Sequence, residues 1–136
     1  MGAVKVVVDT NVVISALLFG GTPGKLISLW QRRVIKPMAS KDIFDEYLRV
    51  LTYPRFKLDE EKINYLLYQE ILPFFDIIDA PSGPRVIAED PADDKFIHCA
   101  LAGDAAHIIT GDQHLFALKV HHKIKIFSPA EFLEKV

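Results

Sequence analysis

The chain of 136 residues has little cysteine, and its one residue of that type is Cys99. A single thiol excludes an intrachain disulfide framework and a cysteine-based zinc cage. Long hydrophobic runs are also absent, because stretches such as residues 12–19 fall far short of the ~20 residues that cross a bilayer. No signal-peptide pattern is visible near the N-terminus. We therefore expect a cytoplasmic protein without a membrane partner.

An excess of positive charge is missing too. There are 16 Lys and Arg residues against 18 Asp and Glu residues, a formal net charge of −2. This balance argues against a protein whose whole surface binds nucleic acid, but it is compatible with a basic rim around an acidic centre. With 50% hydrophobic and 25% charged residues, the chain has the length and composition of one globular domain over residues 1–136.

Strands and helices are predicted to alternate along the chain. The run Val6-Val7-Val8 is typical of a strand that is buried on both faces. Strands are predicted over 5–9, 34–38, 74–78, 107–110 and 124–127. Helices are predicted over 11–18, from 25 after a turn at 20–24, and over 41–51, 59–72, 91–102, 113–118 and 129–134. This alternation predicts a parallel sheet with helices on both faces, which binds ligands at the carboxyl ends of its strands.

Two acids are predicted to lie at that edge. Asp9 ends the first strand, and Asp112 follows the strand that ends at Thr110. Capping of the next helix explains either aspartate taken alone. Glu46 lies on the helix over 41–51, at the border of its apolar stripe. It is expected either to face a cleft or to be a solvated residue at the rim.

The segment 89–94 is the densest acidic stretch of the chain. Asp93 precedes Phe96 and Ile97 by three and four residues, so we expect it on the buried side of the helix, although it also suits a capping box. Asp94 is expected to be more exposed and is the reserve candidate. Carboxylates that converge on one edge repel one another unless a cation lies among them. A hard divalent ion, Mg²⁺ or Mn²⁺, suits such oxygen ligands.

Several motifs of the chain resemble those of the PIN-domain family, and two segments are similar to its VapC-like branch of toxins from toxin–antitoxin systems. The family motifs are Asp9-Thr10-Asn11-Val12, Ser40 with Glu46, Asp90-Pro91-Ala92-Asp93 and Thr110-Gly111-Asp112, and the branch segments are 17–21 and 53–56. The resemblance covers essentially the whole chain. It implies a three-layer α/β/α sandwich with a central parallel sheet.

The function implied by this resemblance is that of a Mg²⁺- or Mn²⁺-dependent endoribonuclease. The catalytic, metal-binding acids would be Asp9, Glu46, Asp93 and Asp112, with Asn11 and Thr110 supporting them through hydrogen bonds. A homodimer and an antitoxin partner are also implied. The expected mechanism is hydrolysis by a metal-activated water, with Glu46 binding a second ion or orienting the water.

Four cations lie near the helix of Glu46 and are candidates for contacts with RNA phosphates, namely Lys41, Arg49, Arg55 and Lys57. One position departs from the family pattern, since His114 stands where relatives often have a further acid. This departure leaves open a non-catalytic PIN-type module that binds RNA or protein. A phosphotransfer domain is the other alternative, but Asn11 replaces the second acid that a phosphatase of that type needs.

Overall fold

The computed structural model describes residues 2–80, 94–117, 120–121 and 123–136, apart from the side chains at 114, 116, 120 and 121. The predicted turn at 81–84 and residues 91–93 of the predicted fifth helix lie outside this part. The elements that position Asp9, Glu46, Asp94 and Asp112 are within it.

One sheet runs through the molecule in the strand order β3-β2-β1-β4-β6-β5. Its strands are β1 (Val4–Val8), β2 (Ile35–Ser40), β3 (Asp76–Ile78), β4 (His107–Ile109), β5 (Val120–His121) and β6 (Ile124–Phe127). Among the described residues, five strands are parallel and β5 alone pairs antiparallel, with β6. The predicted α/β class with a parallel sheet is confirmed. The strand β5 was not predicted, because two residues carry no readable periodicity.

Helices flank the sheet. They are α1 (Thr10–Leu18), α2 (Gly21–Gln31), α3 (Lys41–Leu51), α4 (Glu60–Tyr65), α5 (Asp94–Ala102), α6 (Gln113–Phe116) and α7 (Pro129–Lys135). A 3₁₀ turn covers Pro54–Phe56, and a π-helical turn, Leu66–Ile71, continues α4. Helix α5 lies against β1, β2 and β4, and α3 contacts both α1 and α5. None of the described helices is alone long and apolar enough to cross a bilayer, and only α1 and α2 together, bent by 93°, reach that length and hydropathy.

Local chemistry explains most helix boundaries. Ser40 begins α3 as predicted, because its Oγ accepts a hydrogen bond from the backbone N–H of Ile43 at 3.3 Å. The predicted turn at 20–24 is wrong, since α2 already begins at Gly21. Pro23 is compatible with this start because the first N–H groups of a helix need no partner within it. Gly20, at φ +72°, makes the reversal before it.

The core is built on the central strands. Val6, Val7 and Val8 are fully buried, as expected for a strand covered on both faces. Among the largest buried side chains are Trp30 and Tyr47. The carboxyl edge of this rigid sheet therefore gives the residues that follow β1 and β4 a fixed separation.

Candidate active site

The strand order reverses between β1 and β4, which pair in parallel with Val8 opposite Ile109. In α/β sheets the crevice beyond such a reversal is the usual ligand site. Asp9 follows β1 directly, and its backbone N–H donates to the carbonyl of Ile109 at 2.9 Å. Asp112 comes three residues after β4 ends. Both aspartates therefore flank the reversal.

Thr110 joins these two aspartates. Its hydroxyl donates a hydrogen bond to Asp9 Oδ2 at 2.6 Å and accepts one from the backbone N–H of Asp112 at 2.9 Å. Since Thr110 is fully buried, both bonds are shielded from water. The hydroxyl thus fixes the orientation of one carboxylate and the backbone position of the other.

Asp9 is held in an environment that disfavours its charge. The side chain is 5% exposed, and this burial is the main cause that raises the pKa of its carboxyl group, with further contributions from the negative charges of Asp112 and Glu46. The hydrogen bond from Thr110 and the backbone amide of Asn11 act in the opposite direction. Three acids at one edge therefore interact electrostatically.

Helix capping accounts for one aspartate and not for the other. The side chain of Asp9 makes no capping hydrogen bond to α1. Asp112 does cap α6, because its Oδ1 accepts from the backbone N–H of Leu115 at 3.3 Å. Asp9 thus makes no N-cap bond of the usual geometry to α1, and the amide of Asn11 only partly offsets the effect of burial on its pKa.

Glu46 lies within a ring of hydrogen-bond donors. The hydroxyl of Thr10 donates to its Oε2. At Oε1, Lys95 Nζ lies 2.8 Å away and Arg49 Nη2 lies 3.4 Å away. The side chains of Lys95 and Glu46 are only 16% and 18% exposed, so this ion pair is largely removed from water.

Lys95 is a site residue that sequence reasoning missed. The only available signal is its position directly after the acidic run, at the start of a helix expected to approach the site. Tyr47 was predicted only as part of an apolar stripe, but its hydroxyl donates to the carbonyl of Val8 at 2.7 Å. Burial raises the pKa of this phenol well above its usual range. The bond ties the helix of Glu46 to the strand that ends before Asp9.

Asp94, expected to be the more exposed of the two neighbouring aspartates, is itself buried. Asp94 is the first described residue of α5 and is only 5% exposed. It precedes the buried Ile97 by three residues and so lies on the buried face, which is wider than the predicted stripe. Asp93 lies outside the described residues. Because Lys95 reaches Glu46, the start of α5 belongs to the acidic edge.

The acids lie between two clefts. One cleft of about 230 Å³ is lined by residues that include Asp9, Glu46, Arg49, Arg55 and Asp112. The other, of about 540 Å³, shares Asp9, Asn11 and Asp112 with it. Within the described ranges, no three His, Cys, Asp or Glu side chains are arranged to hold a metal ion by themselves. Any ion bound here would need water, substrate or residues outside those ranges as further ligands.

The predicted RNA-contacting cations separate into two pairs. Arg49 and Arg55 line the smaller cleft beside the acids. Lys41 instead pairs with Asp45 at 2.9 Å on the outer surface of α3. Neither Lys41 nor Lys57 lines the two clefts. The side chain of His114, where relatives often have a further acid, lies outside those that the structure describes.

Comparison with known proteins gives two matches. The model of the PIN domain matches residues 5–114, a range that runs from β1 into α6 and contains every acid of the site. An uncharacterized protein of the archaeon Methanocaldococcus jannaschii is 33% identical over 144 aligned residues. That alignment covers 97% of this chain and 91% of the archaeal protein.

Proposed function

The chain belongs to the PIN-domain family, a family of proposed nucleases, and on this basis we propose that it is a metal-dependent endoribonuclease that hydrolyses RNA phosphodiester bonds. The main support is the buried carboxylate of Asp9, which is disfavoured as an anion beside Asp112 and Glu46. Neighbouring carboxylates of this kind destabilise the protein unless a cation offsets their negative charge. Groups with a shifted pKa are also typical of functional sites.

The donor set suits Mg²⁺ or Mn²⁺. These ions take hard oxygen ligands, and Mg²⁺ usually binds through one or two carboxylates plus waters and substrate phosphates. Asp9 and Asp112 would supply two carboxylates, and Asp94 or Asp93 a third. We favour Asp93 and keep Asp94 in reserve, because Asp94 and the other described acids form no group of three that could hold an ion. A bound ion would supply an activated water and offset negative charge on the phosphate.

The neighbouring residues have distinct parts in this proposal. Thr110 orients Asp9, while Thr10 and Lys95 hold Glu46. A carboxylate accepts about four hydrogen bonds, and three donors reach Glu46 among the described residues. Its remaining lone pair is suited to orienting the attacking water. Arg49 and Arg55 would bind the phosphates on either side of the bond that breaks.

The more specific biological role is also a proposal. Segments 17–21 and 53–56 resemble the VapC-like branch, and this supports a toxin that is paired with an antitoxin and forms a homodimer. Sedimentation of the purified chain alone, and after expression with any protein encoded beside it, tests both assemblies. A chain that is monomeric and copurifies with no partner would remove this part of the proposal and leave the nuclease.

Cleavage of end-labelled RNAs with Mn²⁺, Mg²⁺ or excess EDTA tests the nuclease activity. We expect cleavage that needs metal and that is abolished in Asp9→Asn and Asp112→Asn. The control Asp45→Asn changes an exposed aspartate on the outer surface of α3 and should retain activity. Comparing Asp94→Asn with Asp93→Asn decides between the two neighbouring candidates.

Three results would contradict the proposal. Cleavage that survives in Asp9→Asn would indicate a contaminating ribonuclease. RNA binding without cleavage by any form would favour the non-catalytic binding module. Cleavage that persists in EDTA would exclude a metal-dependent mechanism.

A further inference from the structure

A groove lined by aromatic rings opens beside the acidic cleft. It has a volume of about 350 Å³, and we call it the aromatic groove; it is lined by Asn11, Ile14, Ser15, Phe19, Arg55 and Phe56. The ring centroids of Phe19 and Phe56 lie 6.1 Å apart. Phe19 is 71% exposed, more than any other large hydrophobic side chain described. An apolar ring is thus presented to solvent at a cost in hydration free energy.

The backbone holds both rings in place. Phe19 ends α1, and its N–H donates to the carbonyl of Ser15 at 2.9 Å. The positive φ of Gly20 turns the chain directly after it. Phe56 belongs to the 3₁₀ turn that Pro54 begins. The backbone therefore fixes the points at which both rings are attached, so that little main-chain ordering is needed when a ligand binds.

Arg55 connects this groove to the acids. Its guanidinium carbon lies 4.9 Å from the ring centroid of Phe56 and 5.8 Å from that of Tyr53. Arg55 and Asn11 line both the aromatic groove and the cleft that contains Asp9. The two cavities therefore form one continuous surface, along which an extended ligand could contact both the carboxylates and the rings.

Aromatic rings with a stacked guanidinium favour one class of ligand. Unpaired nucleobases stack on such rings and on arginine planes, while the arginine also attracts the phosphate. An apolar peptide would bury the rings but would gain nothing from a cation between them and the acids.

We propose that the aromatic groove is a nucleobase subsite, in which an unpaired base next to the scissile phosphate stacks on Phe19 and contacts Phe56, whose ring plane is tilted by 52° to that of Phe19, at its edge. This inference rests on the proposed ribonuclease function. Arg55 then contacts the phosphate between that base and the acidic cleft. The subsite selects RNA whose bases are unpaired at the cleavage position.

Binding without metal isolates this subsite from the chemistry. In EDTA, the affinity for a short labelled single-stranded RNA is compared between the native protein and Phe19→Ala. Removing one stacked base contact should weaken binding about tenfold. The salt dependence should be unchanged in Phe19→Ala and reduced in Arg55→Ala, because only the latter removes a charge. Tyr68→Ala is the matched control, since Tyr68 is 59% exposed and lines neither the groove nor the acidic clefts.

A fluorescent variant reports stacking directly. The single tryptophan, Trp30, is buried, so Phe19→Trp introduces a solvent-exposed indole against a constant background. The variant should bind RNA as tightly as the native protein, and single-stranded RNA should quench the introduced indole. Duplex RNA, or the same strand without its bases, should quench it far less.

The possible failures are distinguishable. If the native protein cleaves RNA but Phe19→Ala binds it with native affinity, the subsite is wrong and the nuclease remains. If the native protein neither binds nor cleaves RNA, both proposals fail. If the fluorescence emission of the introduced indole shifts to shorter wavelength as the protein concentration rises in the absence of RNA, the groove is a self-association surface. That result would overturn the base subsite.

Discussion

His107 lies on β4 beside two aromatic rings, with its ring centroid 5.1 Å from that of Phe127 and 5.7 Å from that of Phe132. Its Nδ1 atom is buried and has no hydrogen-bond partner among the described residues. Burial, followed by the nearby charge of Lys125, lowers the pKa of this imidazole. Protonation of His107 therefore favours the unfolded chain.

The resulting pH dependence has a definite sign. The unfolded state binds the proton more readily, so the contribution of His107 to stability is fully present above about pH 6.5, its ordinary pKa. It is lost as the pH falls below that value. In urea unfolding at about pH 7.5 and about pH 5, His107→Phe should lose less stability on acidification than the native protein. Parallel losses in the two proteins would show that other groups carry the pH dependence.

At the residue scale, the sequence predicted the acids better than their partners. Asp9 and Asp112 could be placed at one edge because strands that alternate with helices run parallel, and their carboxyl ends then coincide. The helical position of Glu46 left open whether its side chain faces a cleft or solvent. Lys95 could not be identified, because the reach of a lysine across to another helix depends on how the two helices pack.

Between elements, the ion pair of Lys95 and Glu46 joins α5 to α3 at the acidic edge. The ammonium group neutralises one of the carboxylates that surround the proposed ion. Lys95→Met keeps much of the length of the side chain and removes its charge. We expect Mn²⁺ to bind this variant about tenfold more tightly, or ~1.4 kcal/mol, as measured by titration calorimetry.

A matched pair on the same helix gives the control. Lys41 also pairs with a carboxylate of α3, that of Asp45, but on the outer surface. Lys41→Met should therefore leave Mn²⁺ affinity unchanged. Equal affinities of the native protein and Lys95→Met would show that Glu46 and Lys95 lie electrostatically outside the metal site.

Element boundaries could be predicted where local chemistry decides them. Ser40, whose hydroxyl caps α3, marks the beginning of that helix in the sequence itself. The burial of Asp94 could not be predicted from periodicity, because α5 lies against three strands and buries a wider face than a helix at the surface. Residues 17–21 and 53–56 meet at the aromatic groove, and this meeting depends on the packing of α1 and α3.

At the scale of the whole molecule, the carboxylates that the proposed function needs at the carboxyl edge of the sheet lower the stability of the fold. A fully buried core of valine and isoleucine side chains supports β1 and β4, and these strands in turn hold carboxylates together that repel one another. Sites that are arranged for chemistry commonly reduce stability in this way. We therefore expect a cation bound at this edge to raise the stability of the native fold.

The stability of the metal-free and metal-bound protein measures this dependence. Burial raises the pKa of Asp9 above its ordinary value of 3.8, so the native state is destabilised progressively as the pH rises from that ordinary value through the raised one, and the penalty disappears as the pH falls below it. Asp9→Asn should therefore be more stable than the native protein in EDTA at neutral pH, by about 0.5–2 kcal/mol. Mn²⁺ at about 100 times its Kd should stabilise the native protein by ~2.7 kcal/mol and the variant hardly at all. An Asp9→Asn variant that is less stable than the native protein in EDTA would instead make Asp9 a structural residue. Its negative charge would then stabilise the native fold, and removing that charge would lower the free energy of unfolding.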